Sequence, residues 1–379
     1  MARAYLDHAS TTPPRPEVLA ALMRWMALPA ADPGRLHEEG RIVRDALEVA
    51  RGQVADLVGV AGRQVVFTSG ATESINAAVW GATRQRPGAP VLFAAVEHSA
   101  VRDASARLAP TEVIAVDGAA RIDSGALEER LGAADLARPA LVHCQWANHE
   151  VGTVQPVADV VERCRQSGPV LVHVDAVAAA GHVPTDLGAL DADLVSVSAH
   201  KLGGPPGIGA LVVRRGLRVE PFLVGGEQER ARRAGFESVA AAVGFAGAVT
   251  ALASPGQASD EETSARGYAD RLREAALGVP GVTEYGDIAH RVPHIVCLGI
   301  GGVEAEPVLL GLDQAGIAVH SGSSCSSESL EPSPVLQAMG VDADRSLRLS
   351  VGWSTSDADI DAFAAAFPRV VADLRALRS

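Results

Sequence analysis

Between residues 14 and 250, short apolar runs alternate with longer amphipathic segments, and this rhythm constrains the fold more than any other feature. Runs at 65–68, 91–96, 113–116, 141–145, 170–174, 194–197 and 209–213 contain no Asp, Glu, Lys or Arg. Strands covered on both faces read this way, because neither face meets water. Segments of helical spacing at 71–82, 100–108, 124–131 and 157–164 separate most of them, after two more at 16–27 and 38–58. A helix between consecutive strands brings the chain back to start the next strand in the same direction. The pattern predicts an α/β fold with a mainly parallel, seven-stranded sheet. After a small-residue helix at 240–253, Pro255-Gly256-Gln257 breaks the chain. Helices at 260–276, 306–314 and 357–377 and strands at 294–298 and 347–350 follow. We expect a large domain over 14–253 and a small α/β domain built from 1–13 and 254–379.

A length of 379 residues with 47% hydrophobic content suits two units with substantial cores. The net charge of −13 argues against nucleic acid as a partner, since phosphate backbones need a basic surface. No run of eighteen apolar residues occurs, and the first residues lack an apolar signal core, so no membrane partner and a cytoplasmic location are expected. The four cysteines, Cys144, Cys164, Cys297 and Cys325, form no C-x-x-C pair, so neither a disulfide framework nor a metal site is expected. Cys144 and Cys297 lie in apolar strands and Cys164 in a helix. Cys325 differs: it sits in a small, polar run at 321–329, where a thiol can be exposed and ionise.

The polar residues of interest fall at the carboxyl ends of the predicted strands, where open α/β sheets bind ligands. After the first strand, Ser69-Gly70-Ala71-Thr72-Glu73-Ser74 opens a helix. Free backbone N–H groups at Ala71 and Thr72, with the Thr72 hydroxyl, suit a phosphate, although an ordinary N-cap leaves the same trace. The stretch lacks the lysine of a Walker loop, and no strand-linked G-x-G-x-x-G suggests a dinucleotide. Glu97-His98 ends the next strand; such a histidine either stacks on an aromatic ligand or is structural. Asn148-His149-Glu150 follows a third strand. Asp175 ends a wholly apolar one, where a buried carboxylate calls for a cationic partner or else caps a turn. Ser198-Ala199-His200-Lys201 comes last, and Lys201 is the one lysine in a chain with 33 Lys and Arg residues. Arginine replaces lysine in most surface roles but cannot lose its proton to serve as an amine. Phosphate site, ring-facing histidine, carboxylate for a ring nitrogen and amine for an aldehyde together specify pyridoxal 5′-phosphate.

With these residues the chain resembles the cysteine desulfurases, class-V aminotransferase-like enzymes of fold-type I. The resemblance runs from Tyr5-Leu6-Asp7-His8-Ala9 through Phe67-Thr68-Ser69-Gly70-Ala71-Thr72, Asn148-His149-Glu150-Val151-Gly152 and His173-Val174-Asp175-Ala176. It continues through Ser198-Ala199-His200-Lys201 and Ser321-Gly322-Ser323-Ser324-Cys325 to Leu347-Arg348-Leu349-Ser350-Val351-Gly352. It implies that Lys201 holds the cofactor aldehyde, His98 stacks on the ring and Asp175 holds the ring nitrogen. It also implies that Asn148 faces the ring oxygen, that Ala71, Thr72, Ser198 and His200 hold the phosphate, and that Arg348 binds the substrate carboxylate. Cys325 then takes sulfur from L-cysteine as a persulfide for an acceptor protein or a small-molecule thiol, in a homodimer. A selenocysteine or C–S lyase without persulfide storage, and a cofactor-poor partner subunit, are the other readings.

The departures from the resemblance are specific. The family has a glutamine where this chain has Ala178, and its R-x-G-T threonine, which reaches the partner subunit's cofactor phosphate, is Phe236 here. The usual G-N-P reads Ala31-Asp32-Pro33. A lost hydroxyl–phosphate contact of about 1–3 kcal/mol predicts weaker cofactor retention. The sequence stops at Arg378-Ser379, soon after the last predicted helix, whereas the resemblance implies that related enzymes often carry a longer tail that helps engage a sulfur-accepting scaffold. The acceptor is left open, a dedicated pathway partner included.

Overall fold

The computed structural model describes residues 3–27, 31–133, 137–184, 187–254, 256–321 and 332–377. In chain order its strands are β1 (Ala4–Tyr5), β2 (Val65–Thr68), β3 (Val91–Ala94), β4 (Thr111–Ile114), β5 (Leu141–Gln145), β6 (Leu171–Asp175), β7 (Leu194–Ser198), β8 (Gly209–Val213), β9 (Val282–Tyr285), β10 (Ile295–Ile300), β11 (Ile317–Ala318) and β12 (Ser346–Ser350). Seven of them form one sheet in the order β2-β8-β7-β6-β5-β3-β4. The neighbours from β7 to β4 run parallel, as the intervening helices require. Only β8 runs against its neighbours, because residues 199–208 are too few to carry the chain back for a parallel return.

Helices cover both faces of this sheet. Val172, Val174, Val197 and Val212 pack into the core on one face, and Val66, Ile75, Leu141 and Leu211 into that on the other. The helix Val239–Ala253 is nearly all small residues, so Leu22 and Pro205 approach Gly244 closely enough that an added Cβ would sit about 3 Å from each. A second, antiparallel sheet has the order β12-β10-β9 and its own core of Leu272, Val296, Leu347, Phe363 and Phe367. Ala4 and Leu6 belong to that second core, while residues 7–15 lead from it to the ends of the large-sheet strands.

Two strand readings shift. The strand expected at 113–116 lies at Thr111–Ile114, because the Val91 N–H donates to Pro110 O and sets the register Val91↔Thr111. It is the sheet's edge, so Thr111 and Val113 are exposed and the apolar run alone misplaces it. Strand β9 escapes the sequence reading because Val-Thr-Glu-Tyr carries only two apolar residues. No single helix among the described residues is long and apolar enough to cross a membrane.

Candidate active site

A cavity of about 460 Å³ opens at the carboxyl ends of β5, β6 and β7, within the range of roughly 300–1,000 Å³ usual for small-ligand sites. One end of it is the turn between β2 and the helix Ala71–Gln85. The N-cap of that helix is Gly70, which has no side chain to satisfy the first-turn N–H groups, so Ala71 and Thr72 present theirs to the cavity wall. The backbone there lies tight against β8: a Cβ on Gly209 would stand 2.8 Å from Gly70 Cα. Ser198 and His200 line the same wall from the end of β7. Burial and the neighbouring Lys201 hold the His200 imidazole down to about 4, so it is neutral at pH 7.

Asp175 ends β6 inside the cavity wall, in register with Gln145 of β5 and Ser196 of β7. One oxygen accepts the Val177 N–H at 3.0 Å. Burial raises its pKa, opposed by that hydrogen bond and by His98, His149 and Lys201. Glu97 lies behind it, fully enclosed. Its Oε1 accepts the Gln145 N–H at 2.6 Å, and its Oε2 is buried without a hydrogen-bond partner. Burial, with the Asp175 charge adding to it, pushes Glu97 up to about 8, so Glu97 is the neutral acid of the pair at pH 7. His98 caps the helix Ser99–Leu108; its Nδ1 accepts the Ala100 N–H at 3.1 Å, and its ring meets His149 edge-on at 5.0 Å. These contacts fix the ring orientation while leaving it on the cavity wall.

The other end is assembled from distant parts of the chain. Lys201 sits on the single turn Ala199–Lys201 after β7, and its Nζ donates to the carbonyls of Ala9 and Ser10, the latter at 2.9 Å. Arg348 reaches in from β12 and is 2% exposed. Its Nη2 donates to Asp7 Oδ1 at 2.8 Å and Ser10 Oγ at 2.9 Å, and its Nη1 to His149 O at 3.0 Å. Its Nε is buried without a partner. Ser10 therefore touches both cations, through its carbonyl and its hydroxyl.

The cavity thus gathers Ala71, Thr72, His98, Asp175, Ser198, His200, Lys201 and Arg348. Asn148 is different: in this structure its side chain holds its own loop. Its Oδ1 accepts the N–H groups of Glu150 and Val151, both at 2.8 Å, and its Nδ2 donates to Val96 O at 3.2 Å. Gln145 and His149 line the cavity instead. Gln145 could have been found by the strand-end rule that exposed Asp175, since the two are register partners. Ser10 left no local signal, because its contacts span 191 and 338 residues. Cys325 lies outside the described residues. The other three cysteines are buried; burial pushes the Cys164 thiol up to about 12 and the Cys144 and Cys297 thiols well up, so none of the three is a ready nucleophile. Among the described residues no group of three or more His, Cys, Asp or Glu is arranged to hold a metal ion.

The donor set suits pyridoxal 5′-phosphate: uncapped N–H groups and hydroxyls for a phosphate, a buried carboxylate for a ring nitrogen, and an amine for an aldehyde. The aminotransferase class-V family model matches residues 4–363. A cysteine desulfurase of Trichormus azollae is 38% identical, over 100% of this chain and 95% of its own length. The chain belongs to the cysteine desulfurase family of class-V aminotransferases. A second member, cysteine desulfurase IscS 1 of Archaeoglobus fulgidus, is 35% identical over 98% of both chains. The solved structure of a NifS-like protein superposes with a TM-score of 0.90 at 28% identity, covering 98% of this chain and 100% of that one.

Against that family the departures have visible settings. Ala178 lines the cavity and offers no hydrogen bond where a glutamine side chain is usual. Phe236 is 67% exposed. The segment that presents it is anchored at the turn after β2: Arg233 pairs with Glu73 at 2.9 Å, and the buried Glu229 accepts the Phe67 N–H at 3.0 Å and pairs with Arg51. Glu229, Arg230 and Ala231 all have φ between 49° and 58°, a left-handed run that only such anchoring holds in place. Asp32 accepts the Gly34 N–H at 2.7 Å and pairs with Arg35.

Proposed function

We propose that this chain is a pyridoxal-phosphate-dependent cysteine desulfurase that converts L-cysteine to L-alanine and stores the sulfur as a persulfide on Cys325. One observation carries the reading: residues 98, 175, 201 and 348, far apart in sequence, converge on one cavity as ring face, carboxylate, amine and guanidinium. The cofactor, when bound, supplies the electron sink that labilises the substrate α-proton and then its C–S bond. Ala71, Thr72, Ser198 and His200 bind its phosphate, and His98 fixes the plane of its ring. The Asp175 carboxylate holds a proton on the ring nitrogen, and the neutral Glu97 leaves Asp175 as the single anion there. Arg348 binds the substrate carboxylate, and the Lys201 amine takes the α-proton. The Cys325 thiolate attacks the substrate sulfur; the S–S bond forms as the C–S bond breaks, and protonation at carbon completes alanine. L-cysteine and a thiol thus become alanine and a persulfide, with no external oxidant.

Replacing Cys325 with serine is expected to leave cofactor absorbance intact while cutting alanine and sulfide formation about a hundredfold or more. Both products are followed in the presence of a reductant. Alanine formation at the wild-type rate in this variant would remove the persulfide step and leave a C–S lyase.

We place the functional unit as a homodimer, with the sulfur going to an acceptor protein or a thiol. Val224 and Phe236, exposed and apolar on one anchored segment, support a partner surface there. In such a dimer Phe236→Thr adds back a hydroxyl near the partner's cofactor phosphate and is expected to tighten cofactor retention about tenfold. Equilibrium dialysis of both proteins checks this; equal retention removes Phe236 from the cofactor's surroundings.

A further inference from the structure

We propose that Ser10 is a substrate-binding residue, whose hydroxyl donates to the carboxylate of the substrate amino acid beside Arg348. The proposal rests on the reading of Lys201 as the lysine that binds the cofactor and of Arg348 as the cation that meets the carboxylate.

The hydrogens at this end of the cavity can be counted. A guanidinium holds a carboxylate in a two-pronged grip only with free hydrogens on two neighbouring nitrogens. Both hydrogens of Arg348 Nη2 are already engaged, by Asp7 Oδ1 at 2.8 Å and by Ser10 Oγ at 2.9 Å. Nε is enclosed by protein, and Nη1 gives one hydrogen to His149 O at 3.0 Å and keeps the other. Arg348 therefore offers a carboxylate one accessible N–H, and Asp7 already balances its charge. Ser10 supplies a second donor. A guanidinium N–H only donates, so the Ser10 oxygen is the acceptor in its bond to Arg348 and its own hydrogen is unused. Among the described residues no acceptor takes that hydrogen, and Ser10 lines the cavity.

Ser10 also stands where the carboxylate has to fall. Its carbonyl accepts from Lys201 Nζ at 2.9 Å, so one residue touches both the amine and the guanidinium. The carboxyl carbon of an α-amino acid lies two bonds from its nitrogen. When that nitrogen takes the place of Lys201 on the cofactor, the carboxylate lies between Lys201 and Arg348, beside Ser10. The residue is fixed before any ligand arrives. Its N–H donates to Asp7 O at 3.1 Å, the Ala9 N–H to Ser350 Oγ at 2.8 Å, and the Thr12 N–H to His200 O at 3.0 Å. Thr11 Oγ1 meets His200 Nδ1 at 3.2 Å. A donor held in advance on a tied-down segment loses little freedom on binding, so its hydrogen bond contributes more fully to affinity.

The test titrates holoenzyme with L-alanine, which carries the same carboxylate and has no sulfur to lose, and reads binding by calorimetry and from the cofactor's visible band. Ser10→Ala removes the hydroxyl and keeps the backbone carbonyl that meets Lys201. It is expected to weaken L-alanine about tenfold and to raise KM for L-cysteine by a similar factor, with kcat within about twofold. Unchanged affinity would overturn the proposal. Ethylamine, which has the amine and no carboxylate, is expected to bind wild type and variant within about twofold of each other; an equal loss for both ligands overturns the assignment to the carboxylate. A double-mutant cycle separates direct contact from mere placement of Arg348. In an Arg348→Ala background, Ser10→Ala still weakens L-alanine severalfold if the hydroxyl touches the carboxylate. No further loss there means that Ser10 only holds Arg348, and overturns the proposal. Should Arg348→Ala not fold, Arg348→Lys carries the same comparison. Borohydride reduction of wild type keeps the two claims apart: cofactor absent from Lys201 defeats the proposed function, whereas cofactor fixed there with unaltered binding in Ser10→Ala defeats only the role of Ser10.

Discussion

Replacing Lys201 with alanine is expected to lower alanine formation from L-cysteine by about four orders of magnitude or more, because in the proposed function one amine both anchors the cofactor and moves the α-proton. Lys201→Arg is expected to be as inactive, since a guanidinium does not give up its proton near neutral pH. The sequence makes the result unusually clean: with a single lysine, borohydride can fix the cofactor only there or on the N-terminal amine. Intact mass after reduction should show the cofactor adduct on wild type and none on either variant. The two variants also separate chemistry from packing. The Lys201 amine is held by the Ala9 and Ser10 carbonyls, so alanine removes those bonds whereas arginine can still donate to them. Substantial activity in Lys201→Arg would mean that another group abstracts the proton, and the whole assignment at this end of the cavity would fall.

The strand-end residues were legible in the sequence because uncharged runs mark strands covered on both faces, and the polar residue that stops such a run must lie near a sheet edge. Asp175 and the Ser198–Lys201 stretch both follow this rule, and the structure puts them on one cavity. What the pattern does not carry is which distant side chain answers which. The grip of Asp7 and Ser10 on Arg348 joins residues more than 330 positions apart, and no local periodicity encodes it. Nor does the string Asn148-His149-Glu150 say which member lines the cavity. That choice is made by a tight turn in which the Asn148 amide is taken up by backbone groups, leaving His149 on the cavity wall. The edge strand Thr111–Ile114 is displaced for a related reason: its register comes from a hydrogen bond to its neighbour, not from its own apolar residues. The histidines are the largest gap. His143, His173 and Ser196 lie on neighbouring parallel strands and meet at 2.8 Å each, a chain visible only once the strands are aligned.

Mild acid is expected to unfold the apoprotein, beginning below about pH 6.5, where histidines in an unfolded chain take up protons. His8, His143, His173 and His294 are all at most 5% exposed. Burial holds His173 down to about 3 and His8 to about 4, and holds His143 and His294 well below the ordinary range. The geometry explains why they resist protonation. The His143 and His173 Nδ1 atoms face each other at 2.8 Å, so only one can carry a proton, and the free Nε2 of His143 has no buried acceptor to meet. Between pH 6.5 and the folded values the unfolded chain binds more protons, so stability is full above pH 6.5 and falls as the pH drops. Each such group removes up to about 2 kcal/mol by pH 5. Glu97, raised to about 8, has the opposite sign and offsets roughly one histidine over the same interval. The remaining loss is comparable to the lower end of a domain's whole stability, about 5–15 kcal/mol. Urea midpoints at pH 7, 6 and 5, read by far-ultraviolet circular dichroism, should fall steeply with an unchanged slope m. A midpoint that stays constant across this range would mean that the four rings titrate in the folded protein as they do in an open chain.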